Sequence, residues 1–143
     1  MSIRLFHWVA ASVLALGTLQ AVAATVALKS TLKGASEVPA KDVSGTGTLS
    51  ATLNTDTHEL KYHVVYEGLT GPVTAAHFHG PAAEGVNAKP QVLVKAPFEP
   101  VIDGTATITP EQEKDVLDGK WYFNLHTAAN PGGEVRGQVV KAE

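Results

Sequence analysis

The chain has 143 residues, with 11 Lys and Arg against 14 Asp and Glu, a net charge of −3, no cysteine and a single methionine at position 1. The acidic balance and the lack of an arginine-rich stripe argue against a nucleic-acid partner. Without cysteine there is no disulfide scaffold, no thiol nucleophile and no blue-copper site, which needs a thiolate ligand.

Residues 1–23 carry one basic residue, Arg4, then an apolar stretch from Leu5 to Leu19, then small residues at Ala21 and Ala23. This is the pattern of a signal peptide, too short and wrongly flanked for a membrane span. The alternative is an uncleaved N-terminal anchor. Cleavage would leave a periplasmic or secreted protein without a membrane segment, whose residues 24–143 form one domain with a modest core.

Along that domain, short runs with period-2 alternation recur between Gly, Pro, Asn and Asp signals. They predict strands over 25–33, 45–54, 59–66, 73–79, 91–95, 103–108, 120–126 and 134–141. In the third run, Leu60, Tyr62, Val64 and Tyr66 share an apolar face, with Glu59, Lys61 and His63 opposite. Thr55, Asp56 and Thr57 make a tight connection before it. Thr109 as N-cap, Pro110 at the first helical position, Glu111 and Glu113 in the first turn and Gly119 as a stop predict a helix over 110–118. Val116 and Leu117 are its anchors. The pattern is all-β: an antiparallel β-sandwich or Greek-key barrel of about eight strands with one short helix.

The chemistry concentrates on three histidines. His77 and His79 end the fourth run at i, i+2 spacing, which puts both imidazoles on one strand face about 7 Å apart. His126 ends the seventh run. Each group opens into a Gly/Pro-rich loop, 80–90 or 127–133, the arrangement in which a rigid scaffold presents functional residues. Neutral imidazole is the commonest protein metal ligand, and three would leave one coordination position open. Parity places Tyr122, Asn124 and His126 on one face of their strand and Trp121, Phe123 and Leu125 on the more apolar one. Glu134, Arg136 and Gln138 alternate in the last run against Val135, Gly137 and Val139. If these strands are neighbours, the histidines, Glu134 and Arg136 converge on one polar patch.

The metal ligands expected are therefore His77, His79 and His126, with His63 a candidate fourth. Asn124, Glu134 and Arg136 are candidates to orient them from behind. The plainer alternative is that the histidines bond to backbone or to Glu134 and only lock loop ends. His63 reads equally as a surface residue, His58 as a solvent-exposed turn residue, and His7 belongs to the leader. Glu134 and Arg136, also i, i+2, read as an ion pair bracing the loop, with Glu134 an alternative acid or base. Asn130 to Gly133 is a tight turn without the strand-loop-helix context of a phosphate site. No Gly-x-Ser-x-Gly sequence supports a serine hydrolase, and no catalytic residue is assigned.

Four stretches resemble the CHRD domain, the module also repeated in chordin: Gly34 to Pro39, Gly68 to Pro81, Gly119 to Thr127 and Asn130 to Gln138. The resemblance covers nearly the whole of residues 24–143. It implies an extracellular or periplasmic all-β domain, and it supplies no catalytic residues. It raises the weight on His77, His79 and His126, which fall inside the matching motifs, and is compatible with copper. The leading expectation is thus a secreted metal-binding domain, copper first and zinc second. A metal-free module that binds an extracellular protein or a glycan is the alternative, and a copper-dependent oxidoreductase the second alternative.

Overall fold

The computed structural model describes residues 24–143, so the expected leader lies outside the described residues. Eight strands form: β1 Thr25–Lys33, β2 Thr46–Asn54, β3 Glu59–Glu67, β4 Val73–His79, β5 Pro90–Leu93, β6 Ile102–Thr107, β7 Trp121–Thr127 and β8 Val135–Lys141. Helix α1, Pro110–Leu117, joins β6 to β7, and a short 3-10 turn, Gly34–Ser36, follows β1. The strands make one antiparallel sheet in the order β5-β4-β7-β8-β1-β2-β3-β6, which curls into a nearly closed barrel.

Local chemistry explains the elements. In β3, Leu60, Tyr62 and Val64 are buried and Lys61, His63 and Val65 are exposed, so alternation sends one row inward. The β2–β3 turn is held by the Asn54 carboxamide oxygen, which accepts from the backbone N–H of Asp56 at 2.9 Å and of Thr57 at 3.0 Å. Thr109 caps α1 in a reciprocal box: its hydroxyl accepts from the Gln112 N–H, while the Gln112 side chain accepts from the Thr109 N–H. Val116 seals the helix against the core, and Leu117 packs beside it partly buried. His58, expected to be solvent-exposed, is partly buried instead: its Nδ1 lies 2.7 Å from Glu113 Oε2, tying the turn to the helix.

Phe78 is the centre of the core. It meets Phe123 edge-on at 4.8 Å, Trp121 at 6.1 Å and Tyr62 edge-on at 5.2 Å. Tyr62 sits on β3, which is not a sheet neighbour of β4, so that contact crosses the barrel interior.

β7 is buried at every residue. Trp121, Phe123 and Leu125 join the core cluster. The other side, with Tyr122, Asn124 and His126, is covered by two segments that leave the barrel: residues 34–45 after β1, and 80–89 between β4 and β5. The second is pinned by the Ala82 N–H on the Lys120 carbonyl and by Gln138, whose amide donates to the Ala82 carbonyl. The two segments meet where the Asn87 side chain donates to the Val38 carbonyl at 3.0 Å.

Candidate metal centre

Strand register assembles the site. His77 stands opposite Asn124 of β7, and Asn124 opposite Arg136 of β8. One row along, His79 stands opposite Tyr122, and on the far side Ala75 stands opposite His126. Both histidines of β4 therefore point to the covered outer face, while Phe78 between them points into the core.

The imidazoles converge. His77 Nδ1 lies 3.0 Å from His126 Nε2, and one ligand nitrogen from each of His77, His79 and His126 falls within 4.8 Å of the others. His79 Nδ1 faces the Ala88 carbonyl at 2.9 Å, and His126 Nδ1 faces the Pro131 carbonyl at 2.9 Å. A carbonyl only accepts, so each Nδ1 is placed to carry the hydrogen, and in a neutral ring the lone pair then falls on Nε2. This is the second hydrogen bond by which a ligating histidine is usually held. Burial, then the neighbouring His126 and His79, push the His77 imidazole down to about 4. Burial likewise lowers His79. Both are neutral at pH 7, the form that binds a metal.

The donors fit a transition-metal ion. They are all imidazole nitrogen, without the oxygen ligands that calcium or magnesium demands. Bonds of roughly 2.0–2.1 Å in tetrahedral geometry put two ligand nitrogens about 3.4 Å apart, so a pair at the outer limit would have to close by about 1.4 Å on binding.

The remaining predicted residues fall into three groups. Asn124 lies inside the trio, its side-chain oxygen 3.1 Å from His79 Nε2 and 2.9 Å from His126 Nε2. Arg136 touches no histidine. Its guanidinium lies 3.4 Å over the Tyr122 ring, and Tyr122 stacks on His79 at 4.7 Å and 4°. The same guanidinium donates to Asn87 Oδ1 and the Val86 carbonyl, so it clamps the covering segment onto the site. Glu134 forms no ion pair with Arg136, contrary to the expected brace. β8 begins only at Val135, so parity does not carry Arg136's direction back to Glu134. The Glu134 carboxylate turns to its own loop and accepts from the Thr70 N–H and hydroxyl, the Thr127 hydroxyl and the Asn130 amide. His63 is not part of the trio. It is exposed on β3, four strands from β7 in the sheet, and pairs with Asp103 at 2.6 Å.

Two residues of the site were given no role there by the sequence, although parity puts Tyr122 on the same face as Asn124 and His126. Tyr122 supplies the stacking surface. Glu37, only 6 % exposed, reaches Asn124 from the covering segment, with Asn124 Nδ2 3.5 Å from Glu37 Oε1. Gly133 makes room for it. Its φ is +124°, and an added Cβ would collide with Glu37 Oε1 and come within 2.7 Å of Asn124 Nδ2. Gly133→Ala should therefore lower stability by about 1–3 kcal/mol, read from the denaturation midpoint; an unchanged midpoint would show that the loop has slack.

The fold and the site define a class: an antiparallel barrel whose buried strand displays a convergent histidine trio under two covering segments. The chain belongs to the CHRD domain family, whose model matches residues 28–139. That span contains every one of these site residues. No curated protein and no solved structure matches the chain.

Proposed function

We propose that this CHRD domain is a secreted or periplasmic metal-binding module that holds one transition-metal ion through His77, His79 and His126. The observation that carries the reading is the convergence of one nitrogen from each of His77, His79 and His126 within 4.8 Å, with Nδ1 of His79 and of His126 each placed to donate to a backbone carbonyl. Copper is the favoured ion, since an imidazole set generally binds Cu(II) more tightly than Zn(II), and zinc is the alternative. The leader pattern over residues 1–23 and the family's extracellular character support the location. Titration of the purified domain with Cu(II) and Zn(II) tests it. A His77→Ala/His126→Ala variant should bind more weakly by over about 100-fold, more than the loss of a mere orienting partner. Equal affinity in the two proteins would refute the site.

One observation favours the second reading, a surface that meets an extracellular protein. Leu93, opposite His77 across the β4–β5 ladder, is 67 % exposed, and Val86 on the covering segment is 53 % exposed. Binding of a partner that survives chelation and the double histidine variant would support it.

A further inference from the structure

The hydrogen bonds around Asn124 contain a conflict. His79 Nε2 and His126 Nε2 both face the Asn124 oxygen, at 3.1 Å and 2.9 Å. An oxygen there needs N–H donors, yet each imidazole already spends its one neutral-state hydrogen on a backbone carbonyl through Nδ1. Four acceptor-facing nitrogens would share two hydrogens. The conflict vanishes if the Asn124 amide turns by 180°, which leaves its shape unchanged. Its two N–H groups then reach the two Nε2 lone pairs, one each. The amide oxygen then faces the Glu37 carboxyl, and two facing oxygens need a proton between them. The opposite orientation, oxygen toward the imidazoles and N–H toward Glu37 Oε1, suits a cation at the trio and an ionised Glu37.

We propose that Asn124 and Glu37 form a two-position latch on the histidine trio. With the site empty, the amide N–H groups cap His79 Nε2 and His126 Nε2, and protonated Glu37 donates to the amide oxygen. Uptake of an ion turns the amide, its N–H groups pass to the Glu37 carboxylate, and the Glu37 proton leaves to solvent. The latch rests on the metal-binding reading above and adds its regulation: Glu37 couples ion uptake to pH without being a ligand.

The surroundings of Glu37 suit this role. The charged groups that face it are Arg136 from β8 and Lys41 from its own covering segment, both positive, together with the Asn124 amide and the Val38 N–H. Burial outweighs all four and pushes the carboxyl up to about 7. Glu37 can therefore hold or lose its proton close to neutrality.

Zinc titration by calorimetry at pH 6.5, in two buffers of different protonation enthalpy, counts the protons released. A carboxyl titrating at about 7 is roughly three-quarters protonated there. The wild-type domain should release roughly that fraction of a proton per zinc more than Glu37→Gln, in which the side-chain amide imitates the protonated acid and keeps the cap in place. Glu37→Gln should also bind zinc roughly tenfold more weakly. Equal proton release in the two proteins would overturn the latch and leave the metal reading intact. No zinc uptake by the wild-type domain would overturn both. Should Glu37→Gln fail to fold, the wild-type protein supplies the test through its Glu37 carboxyl carbon resonance. That resonance should titrate near neutrality without zinc and report an ionised group at pH 6.5 with zinc; a group ionised in both states would overturn the latch.

Discussion

Phe78→Ala should destabilise the domain by about 3–5 kcal/mol, the range for truncating a buried phenylalanine. Phe78 is fully buried and contacts Phe123, Trp121 and, across the barrel, Tyr62. Its removal opens a cavity at the point where β3, β4 and β7 meet, and the packed aromatics around it collapse only partly. The functional effect should exceed that of an ordinary core truncation, because His77 and His79 flank Phe78 and point the other way. Ion affinity should fall along with stability. Chemical denaturation and metal titration of the same variant check both effects. A loss below about 1 kcal/mol would mean that the barrel is not closed around this ring.

Glu134→Ala should cost about 1–3 kcal/mol by a different route. The carboxylate is fully buried and collects donors from Thr70, Thr127 and Asn130; its removal strands the buried Thr127 hydroxyl and unties Thr70 and Asn130 from the loop, where water can partly replace it. Burial alone would raise this carboxyl, but the hydrogen bonds from Thr127, Thr70 and Asn130 prevail and hold it below the ordinary 4.5. The sign follows. A carboxyl lowered in the folded state binds fewer protons there than in the unfolded chain, so its contribution is complete above about pH 4.5 and is lost as the pH falls through the folded value. Denaturant midpoints from pH 7 to pH 3 should drop more steeply in the wild-type protein than in Glu134→Gln. Parallel curves would refute the role.

Much of the fold was legible because it is local. The alternation of Leu60, Tyr62, Val64 and Tyr66 marks β3, and Thr109 with Pro110 marks the helix start. Strand order was not legible, because period-2 patterning states which face is apolar and not which strand lies beside it. The three histidines could be picked out because His77 and His79 share a strand face and all three end strands at glycine-rich loops. The sequence assigns Arg136 to the last strand correctly but pairs it with Glu134, because parity holds only within a strand and Glu134 precedes β8. Glu37 lies in the first stretch that resembles the CHRD domain, but nothing in the sequence gives it a role. Its meaning comes from Asn124, 87 residues away, and from the absent side chain of Gly133. His63 misled for a different reason: period-2 alternation puts it on the polar face of its strand, but strand order places β3 four strands from β7.

The order of the strands also sets when an ion can be captured. His77 and His126 are 49 residues apart, with β5, β6 and α1 between them, and β7 joins β4 in the sheet only as a non-local pair. Contacts of that span form slowly, because loop-closure entropy is lost before they stabilise anything. In the unfolded chain only His77 and His79 are near neighbours in sequence, while the folded barrel brings the three imidazoles together. Ion binding as proposed would therefore favour the native state by mass action, growing with the ratio of free ion to dissociation constant. For a domain with no disulfide, an ion held as proposed would act as a non-covalent staple applied only after the barrel closes, so that its occupancy would report completed folding.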